Sequence, residues 1–288
     1  MYCYSMIDAL LKFLPLKRFR NPDPVVSVLR LHGVIGRVGA IGSGGLTQSG
    51  LEKTIEKAFS TKRLKAVALS VNSPGGSPVQ SSLIAGHIRA LSAEKDIPVY
   101  AFVEDVAASG GYWLACAADE IFADENSIIG SIGVISSGFG FVEAIKKIGV
   151  ERRVHSAGKS KAILDPFQLE KPEEVEKLTS LQNEIHESFK NYVRDRRGEK
   201  LKSEGEELFE GDIWTGKSAE GLGLIDGLGD LRTVMKKRLG EKTKFKLVGN
   251  KPSPFKRFLG RGEARLYQKT LVLFSALEEW SVWKRFGL

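Results

Sequence analysis

Cysteine is scarce in this 288-residue chain, which contains two, Cys3 and Cys116. They form no CxxC pair, so the sequence excludes a disulfide framework and a cysteine-based zinc or iron–sulfur site. This scarcity is typical of a reducing compartment. No uninterrupted apolar run approaches the roughly 20 residues that a transmembrane helix needs. The 42% of hydrophobic and 27% of charged residues predict a soluble globular protein.

The net charge of +8 comes from one segment of the chain. Residues 235–269 contain twelve Lys or Arg against two Glu, a local net charge of +10. Because residues 270–288 are balanced, residues 1–234 carry a net charge of −2. A near-neutral body with one basic tail argues against a nucleic-acid partner. The tail is either a solvated surface or a contact for anionic lipid or an acidic partner.

The sequence divides into four predicted segments. Residues 1–23 form an amphipathic and basic N-terminal segment, 24–239 a folded domain, 240–262 a basic linker and 263–288 an amphipathic C-terminal helix. The N-terminal apolar stretch precedes its basic residues, whereas a secretory signal places positive charge first. We therefore expect a cytoplasmic protein whose terminal segments are the candidates for peripheral membrane contact.

Strand-like and helix-like patterns alternate through the folded domain. The predicted strands are 25–31, 65–71, 99–103, 120–123 and 132–136, and the predicted helices are 51–59, 78–92, 110–118 and 171–197. Such alternation predicts an α/β fold with a mainly parallel sheet.

Two short motifs match catalytic sequence patterns, but the rest of the sequence does not support the corresponding functions. Residues 211–218 fit the phosphate-loop pattern GxxxxGK[ST], but the seven residues before them include four Glu, which would repel a triphosphate. Residues 156–159 fit SxxK, but the companion motifs Ser-Asp-Asn and Lys-Thr-Gly are missing from the chain. We expect neither nucleotide binding nor β-lactamase-like chemistry.

A third constellation joins two glycine-rich turns. Ser109-Gly110-Gly111 follows a predicted buried strand and precedes an apolar helix, so the Ser109 hydroxyl lies at the rim of the sheet. Residues 72–76 (Asn-Ser-Pro-Gly-Gly) end the neighbouring strand, and their glycines let backbone approach a substrate closely. One amide from each turn would form a two-donor oxyanion hole. Ser-Gly-Gly and Pro-Gly-Gly are, however, also ordinary turns.

A nucleophilic serine needs a base. None of the four histidines, His32, His87, His155 and His186, belongs to a recognisable Ser/His/Asp spacing. A lysine whose pKa is lowered by burial is the remaining base.

The order and spacing of four motifs resemble those of the SppA-type signal peptide peptidases, which are serine proteases with a Ser–Lys dyad. The motifs are residues 72–76, 106–112, 130–135 and 211–226. The resemblance covers about residues 25–235 and implies a ClpP/crotonase-like fold with repeated ββα units. It also identifies residues 24–239 as a protease domain and the phosphate-loop match as a structural segment.

The resemblance implies a role for each site residue. Ser109 is the nucleophile, Lys161 is the general base, and Ser131 orients the lysine amine. Gly76 and Gly110 supply the oxyanion-hole amides. The family's Gly-x-Tyr-Lys segment has Ser160 in place of Tyr here, so Lys159 stays an alternative to Lys161.

The implied activity is endopeptidase cleavage of signal peptides or other short, unfolded, apolar peptides, with no metal or organic cofactor. The family also implies a homo-oligomeric ring in which neighbouring subunits share serine and lysine. Two alternatives stay open at this point. They are a crotonase-like acyl-CoA enzyme and a non-catalytic scaffold of the same fold.

Overall fold

The computed structural model of the chain describes residues 23–37, 45–158, 160–202, 206–249 and 283–287. Of the four predicted segments, residues 1–22 of the N-terminal one, residues 250–262 of the linker and most of the C-terminal helix therefore lie outside the described residues. Lys159, the alternative to Lys161, also lies outside them. In the part of the chain that is described, no helix combines the length and the apolar character that crossing a bilayer requires.

An eight-stranded sheet forms the body of the molecule. Its strands are β1 (Val25–His32), β2 (Leu64–Ser73), β3 (Val99–Ala108), β4 (Glu120–Ala123), β5 (Ile128–Gly130), β6 (Ile213–Thr215), β7 (Gly227–Leu228) and β8 (Lys244–Val248). The main path runs β6-β5-β3-β2-β1-β8, and β4 joins β3 to β7. Every pair is parallel except β5 with β6. The predicted α/β class and mainly parallel sheet are confirmed.

Helices follow most of the strands. They are α1 (Gln48–Phe59), α2 (Pro78–Lys95), α3 (Gly110–Ala115), α4 (Val142–Lys147), α5 (Pro172–Arg197), α6 (Gly216–Leu222) and α7 (Leu231–Leu239), with 3₁₀ turns at Gly198–Lys200 and Glu206–Phe209. Several of these helices have an N-cap side chain whose oxygen accepts a backbone hydrogen bond. Thr47, Ser77 and Asp230 each accept a backbone N–H from the first turn of α1, α2 and α7, respectively.

The sheet is covered on both faces, which explains why its central strands read as continuous apolar runs. On one face, Leu69 of β2, Ile88 of α2 and Tyr112 of α3 belong to the large core. On the other face, Phe102 of β3 and Met235 of α7 belong to a smaller cluster.

Two predicted elements differ from the structure. The strand predicted at 132–136 is wrong, because β5 ends at Gly130 and the chain then turns. Ser131, the residue after β5, has a φ of 52°, which is incompatible with an extended strand. The segment predicted as a linker at 240–262 contains β8, which pairs with β1. The sheet therefore continues past residue 239.

A buried ion pair ties the end of α5 to the start of β4. The Arg197 guanidinium is 3% exposed and donates to the Gly223 carbonyl at 2.9 and 2.7 Å and to Asp226 Oδ2 at 2.7 Å. Asp226 also accepts from the Ile121 N–H at 2.8 Å, and Lys200 Nζ lies 2.8 Å from Oδ1. Burial alone would raise the pKa of Asp226, but these three donors outweigh it and hold that pKa below its ordinary value.

Replacing Asp226 with Asn should leave a buried guanidinium without its counter-charge. We expect the free energy of unfolding to fall by about 3 kcal/mol. Because the pKa of Asp226 is lower in the folded than in the unfolded chain, its stabilisation is present above about pH 4 and is lost as pH falls through the folded value. Urea unfolding of both proteins at pH 7 and toward pH 3 measures this. A difference that stays constant over that range would contradict it.

Candidate active site

Ser109 lies at the turn between β3 and α3, and its backbone is strained. Its φ of 51° and ψ of −123° are rare for a residue with a Cβ. The Ser109 N–H donates to the Gly130 carbonyl at 2.8 Å, and the Ser109 carbonyl accepts from the N–H of Tyr112 and Trp113 at 2.9 and 3.1 Å. The side chain is half-buried and makes no capping hydrogen bond to α3. Its hydroxyl is therefore available to a substrate.

The turn after β2 lies directly against Ser109. A Cβ on Gly75 would be 2.8 Å from Ser109 Cβ and 3.0 Å from Gly110 N, and the φ of Gly75 is +105°. Only glycine therefore fits at this position without a shift of Ser109. The Ile35 N–H donates to the Gly75 carbonyl, and the Ser77 N–H donates to the Ile35 carbonyl, both at 2.8 Å.

These two hydrogen bonds orient the Gly76 amide. In a parallel pairing, the residue between the two bonded neighbours directs its own N–H to the opposite side. The opposite side of Gly76 is the Ser109 turn, since a Cβ on Gly110 would lie 3.4 Å from Gly76 N. Among the described residues, no acceptor takes the N–H of Gly76 or Gly110. The two predicted oxyanion donors are thus neighbours, and both N–H groups are unoccupied by protein acceptors.

Ser131 lies beside Ser109 because of the β3–β5 register. Ala108 pairs with Gly130, so the next residues along the two strands, Ser109 and Ser131, are adjacent. Ser131 also has a positive φ, 52°, and its N–H donates to the Asp212 carbonyl at 2.6 Å. The structure therefore brings together four predicted site residues: Gly76, Ser109, Gly110 and Ser131.

The segment around β6 supports this site from the side. The Trp214 ring lies 2.6 Å from where a Cβ on Gly130 would be, so it packs against the residue that holds the Ser109 N–H. Sequence analysis missed this role of Asp212 and Trp214, although the motif at 211–216 signalled that the segment matters. In the phosphate-loop match, a Cβ on Gly216 would lie 2.0 Å from the Asp124 carbonyl, and the Lys217 N–H donates to the Glu125 carbonyl at 3.2 Å.

Among the described residues, no hydrogen bond joins Lys161 to Ser109. Lys161 lies exposed in a turn where its N–H donates to the Gly158 carbonyl at 3.2 Å. Across the described ranges, no hydrogen bond or ion pair joins its amine to another residue. The described residues thus bring Gly76, Ser109, Gly110 and Ser131 together, and no hydrogen bond among them joins this group to Lys161.

Lys161 belongs to an extended excursion, residues 133–171, which we call the arm. Between Ile132 and Phe189, none of the described residues is buried. The exposed apolar side chains of the arm and the adjoining part of α5 are Ile135, Phe139, Phe141, Ile148, Val150, Val154, Leu169, Val175, Leu181 and Ile185. The predicted amphipathic helix at 171–197 is present as α5, and Val175, Leu181 and Ile185 of its apolar stripe are exposed. Exposed apolar surface of this extent is typical of a protein–protein interface.

Other titratable groups near the turn do not replace the lysine. Burial raises the pKa of Tyr112 well above its ordinary value and raises that of Cys116 to about 12. The Tyr112 hydroxyl donates to the Leu224 carbonyl at 2.7 Å, which anchors α3. The side chains of His32, His87 and His186 contact Ser70, Gln48 and the Ile132 carbonyl, respectively. His155 is exposed, and within the described part of the chain no histidine hydrogen-bonds Ser109.

Comparison with known proteins shows which family this chain resembles. The model of peptidase family S49 matches residues 92–244, more than half of the chain, including Ser109. The chloroplastic serine protease SPPA of Arabidopsis thaliana is 35% identical over 214 residues, which cover 72% of this chain and 31% of that protein. A Brucella abortus (strain 2308) protein named Na(+)/H(+) antiporter NhaA is 48% identical over 295 aligned residues, which cover 98% of this chain and 39% of that protein. The chain therefore spans well under half of either relative.

A solved structure shares the fold. It is a membrane-bound stomatin-specific protease that matches with a TM-score of 0.50 and 18% sequence identity, covering 81% of this chain and 100% of that one. At this identity the likeness concerns the fold alone, and it confirms the expected ClpP-like class. Because the matching family model spans the strand, turn and helix that carry Ser109, the chain belongs to peptidase family S49 and carries a serine peptidase domain of the SppA type.

Proposed function

We propose that this chain acts as a serine endopeptidase in which Ser109 is the nucleophile and Lys161 the base. The observation that carries the proposal is the strained Ser109 turn with the unoccupied amides of Gly76 and Gly110 beside it. A hydroxyl held at a sheet rim next to two convergent N–H donors suits acyl transfer. Membership of a peptidase family favours peptide bonds over the acyl-CoA and scaffold alternatives.

The chemistry proceeds in two stages. Ser109 Oγ attacks the peptide carbonyl while the neutral Lys161 amine takes its proton, and the Gly76 and Gly110 amides donate to the resulting oxyanion. The protonated lysine then gives its proton to the leaving amine, and the C–N bond breaks. Water attacks the acyl-enzyme with the same lysine as base, releasing the second product and Ser109. Ser131, adjacent to Ser109, orients the amine.

The lysine comes from a neighbouring copy of the chain in this proposal. Within one chain Lys161 is exposed, and the arm that carries it displays many apolar side chains. Packing of the arm against a second copy buries this surface and places Lys161 at the neighbour's Ser109. An interface that excludes water also favours the uncharged amine over the ammonium ion. The homo-oligomer is therefore part of the active site.

The proposed substrates are cleaved signal peptides and other short, unfolded, apolar peptides. A site shared between subunits is enclosed, so it admits an extended chain and excludes folded proteins. The resemblance to the SppA type supports this substrate class. The proposal requires no metal or organic cofactor, because the serine, the lysine and two amides account for every proton and charge in the reaction.

Replacing Ser109 with Ala should abolish labelling by a fluorophosphonate probe and cleavage of an unfolded apolar peptide. The methyl group keeps the backbone geometry but provides no nucleophile. Intact-protein mass spectrometry measures the label. Ser60→Ala, at an exposed serine after α1, is the matched control and should retain full labelling. Labelling of the Ser109→Ala protein at another serine would contradict the assignment.

Lys161→Ala and Ser109→Ala should each be inactive alone but complement each other when co-expressed. If each site takes serine from one copy and lysine from the next, random mixing restores about a quarter of the wild-type activity per site. Peptide cleavage by the purified mixed oligomer measures this, and Lys147→Ala on α4 is the control that should stay active. Inactive mixed oligomers would refute the shared site.

Gly75→Ala should impair catalysis by displacing Ser109 and the Gly110 amide. We expect a kcat reduction of about 100-fold or more, which corresponds to loss of one oxyanion donor, and a loss of about 1–3 kcal/mol in the free energy of unfolding from the positive φ. Gly86→Ala, in open space on α2, is the matched control. It should keep its kcat and gain about 0.5–1 kcal/mol of stability. Wild-type kcat in Gly75→Ala would contradict the geometry.

A further inference from the structure

The side chain of Ser81, on α2, is buried against the turn that carries Ser109. Ser81 is 0% exposed. A Cβ on Gly110 would lie 2.5 Å from Ser81 Oγ, so the hydroxyl fills the space that a side chain at position 110 would need. Ser81 lies in a helix that the sequence predicts, but it belongs to none of the four motifs that indicate the site. Its contact with the Gly110 turn is a feature of the tertiary structure.

Ser81 also contacts the segment that carries the other proposed oxyanion donor. Its hydroxyl donates to the Ser77 carbonyl at 2.9 Å. Ser77 directly follows Gly76, and the Ser77 N–H donates to the Ile35 carbonyl at 2.8 Å. The Ser81 side chain thus lies between the start of α2, next to Gly76, and the first residue of α3, Gly110. One side chain therefore connects the two turns whose amides we assign to the oxyanion hole.

The hydroxyl proton of Ser81 is used within α2. A hydroxyl has one proton to donate, and the Ser77 carbonyl accepts it. Such a bond to the carbonyl four residues back is common for a serine inside a helix. Ser81 is therefore not a third oxyanion donor. What its oxygen contributes at the site is volume beside Gly110.

Glycine at position 110 is required by Ser81 rather than by the backbone. Gly110 is the first residue of α3, and its φ is not positive, unlike those of Gly75 and Gly76. The other atoms nearest to a Cβ at this position are Ile35 Cδ1 at 3.2 Å, the end of a flexible side chain, and Gly76 N at 3.4 Å, an ordinary contact. Removing the Ser81 oxygen would therefore make room for alanine at position 110.

Gly111 provides the opposite case. A Cβ on Gly111 would overlap the Ser73 carbonyl oxygen, which belongs to the backbone of β2. No side-chain truncation removes this obstacle, so alanine at position 111 displaces the turn whatever residue lies at position 81. The two neighbouring glycines thus separate an effect of the Ser81 side chain from a general effect of crowding the turn.

We propose that Ser81 is a positioning residue of the peptidase, an inference that rests on the proposed function. By filling the space between α2 and Gly110, its oxygen sets the separation of the Gly76 and Gly110 amides. Both amides have to reach one oxyanion at about 2.7–3.1 Å, a range that tolerates little displacement. Ser81 acts on the reaction through these amides and does not touch the substrate.

Ser81→Ala should lower kcat about tenfold and leave KM unchanged, because the amides meet an oxyanion only after the substrate has been attacked. Gly110→Ala should lower kcat by about 100-fold or more, since Ser81 Oγ would push the amide out of place. Combining the two should restore kcat to the level of Ser81→Ala, because the added methyl group then takes the vacated space. Steady-state cleavage of an unfolded apolar peptide measures all three proteins.

The matched control is Ser82→Ala, at the exposed neighbouring serine of α2, which should keep the wild-type kcat. Gly111→Ala should stay impaired when it is combined with Ser81→Ala. Wild-type kcat in Ser81→Ala would overturn the inference, and so would a Ser81→Ala/Gly110→Ala protein no more active than Gly110→Ala. Kinetics are measured where urea unfolding shows each variant to be folded. If Gly110→Ala does not fold, the kcat of Ser81→Ala decides alone.

Fluorophosphonate labelling separates this inference from the proposed function. Suppose that the wild-type protein labels at Ser109 and cleaves the peptide, and that Ser81→Ala and Ser82→Ala are equally active. This result would refute the positioning role of Ser81 and leave the peptidase standing. A wild-type protein that neither labels nor cleaves would refute the proposed function, and the role of Ser81 with it.

Discussion

The hydrogen bond from the Ser109 N–H to the Gly130 carbonyl is the constraint on which the site depends. It holds a serine in a backbone conformation that costs about 1–3 kcal/mol, and it exists because β3 and β5 pair in parallel register up to Ala108 and Gly130. The same register places Ser131 beside Ser109. Such strain persists only where neighbouring contacts hold the backbone in place. Here the Gly75 turn packs against Ser109, the Trp214 ring packs against Gly130, and the Tyr112 hydroxyl anchors α3.

The described residues fall into a buried body and an exposed arm. The sheet and the helices packed on it form a buried body, in which the Arg197–Asp226 pair and the Tyr112 hydroxyl bond hold the peptide segments behind α3. The described residues of the arm, by contrast, contribute no buried side chain to that body. In our proposal, the nucleophile and the oxyanion donors belong to this buried body and the base belongs to the arm of a second subunit. This arrangement makes assembly a condition of activity in our proposal. The relatives share the domain, whereas the chain covers less than half of their length.

The sequence by itself determined the alternation of strands and helices, the placement of Ser109 at a strand-to-helix turn, and the glycines that allow the close approach of Gly75 and Gly76. These features are local, because periodicity and turn chemistry act over a few residues. Only the tertiary structure decided that Ser131 follows a turn rather than lying in a strand, that β8 extends the sheet, and that Asp212 and Trp214 support the site. Tertiary structure also decided that Phe189 and Val193 of α5 are buried, whereas Val175, Leu181 and Ile185 of the same helix and the turn of Lys161 are exposed. Such features depend on contacts between residues far apart in sequence, and a one-dimensional pattern does not encode which apolar face finds a partner within its own chain.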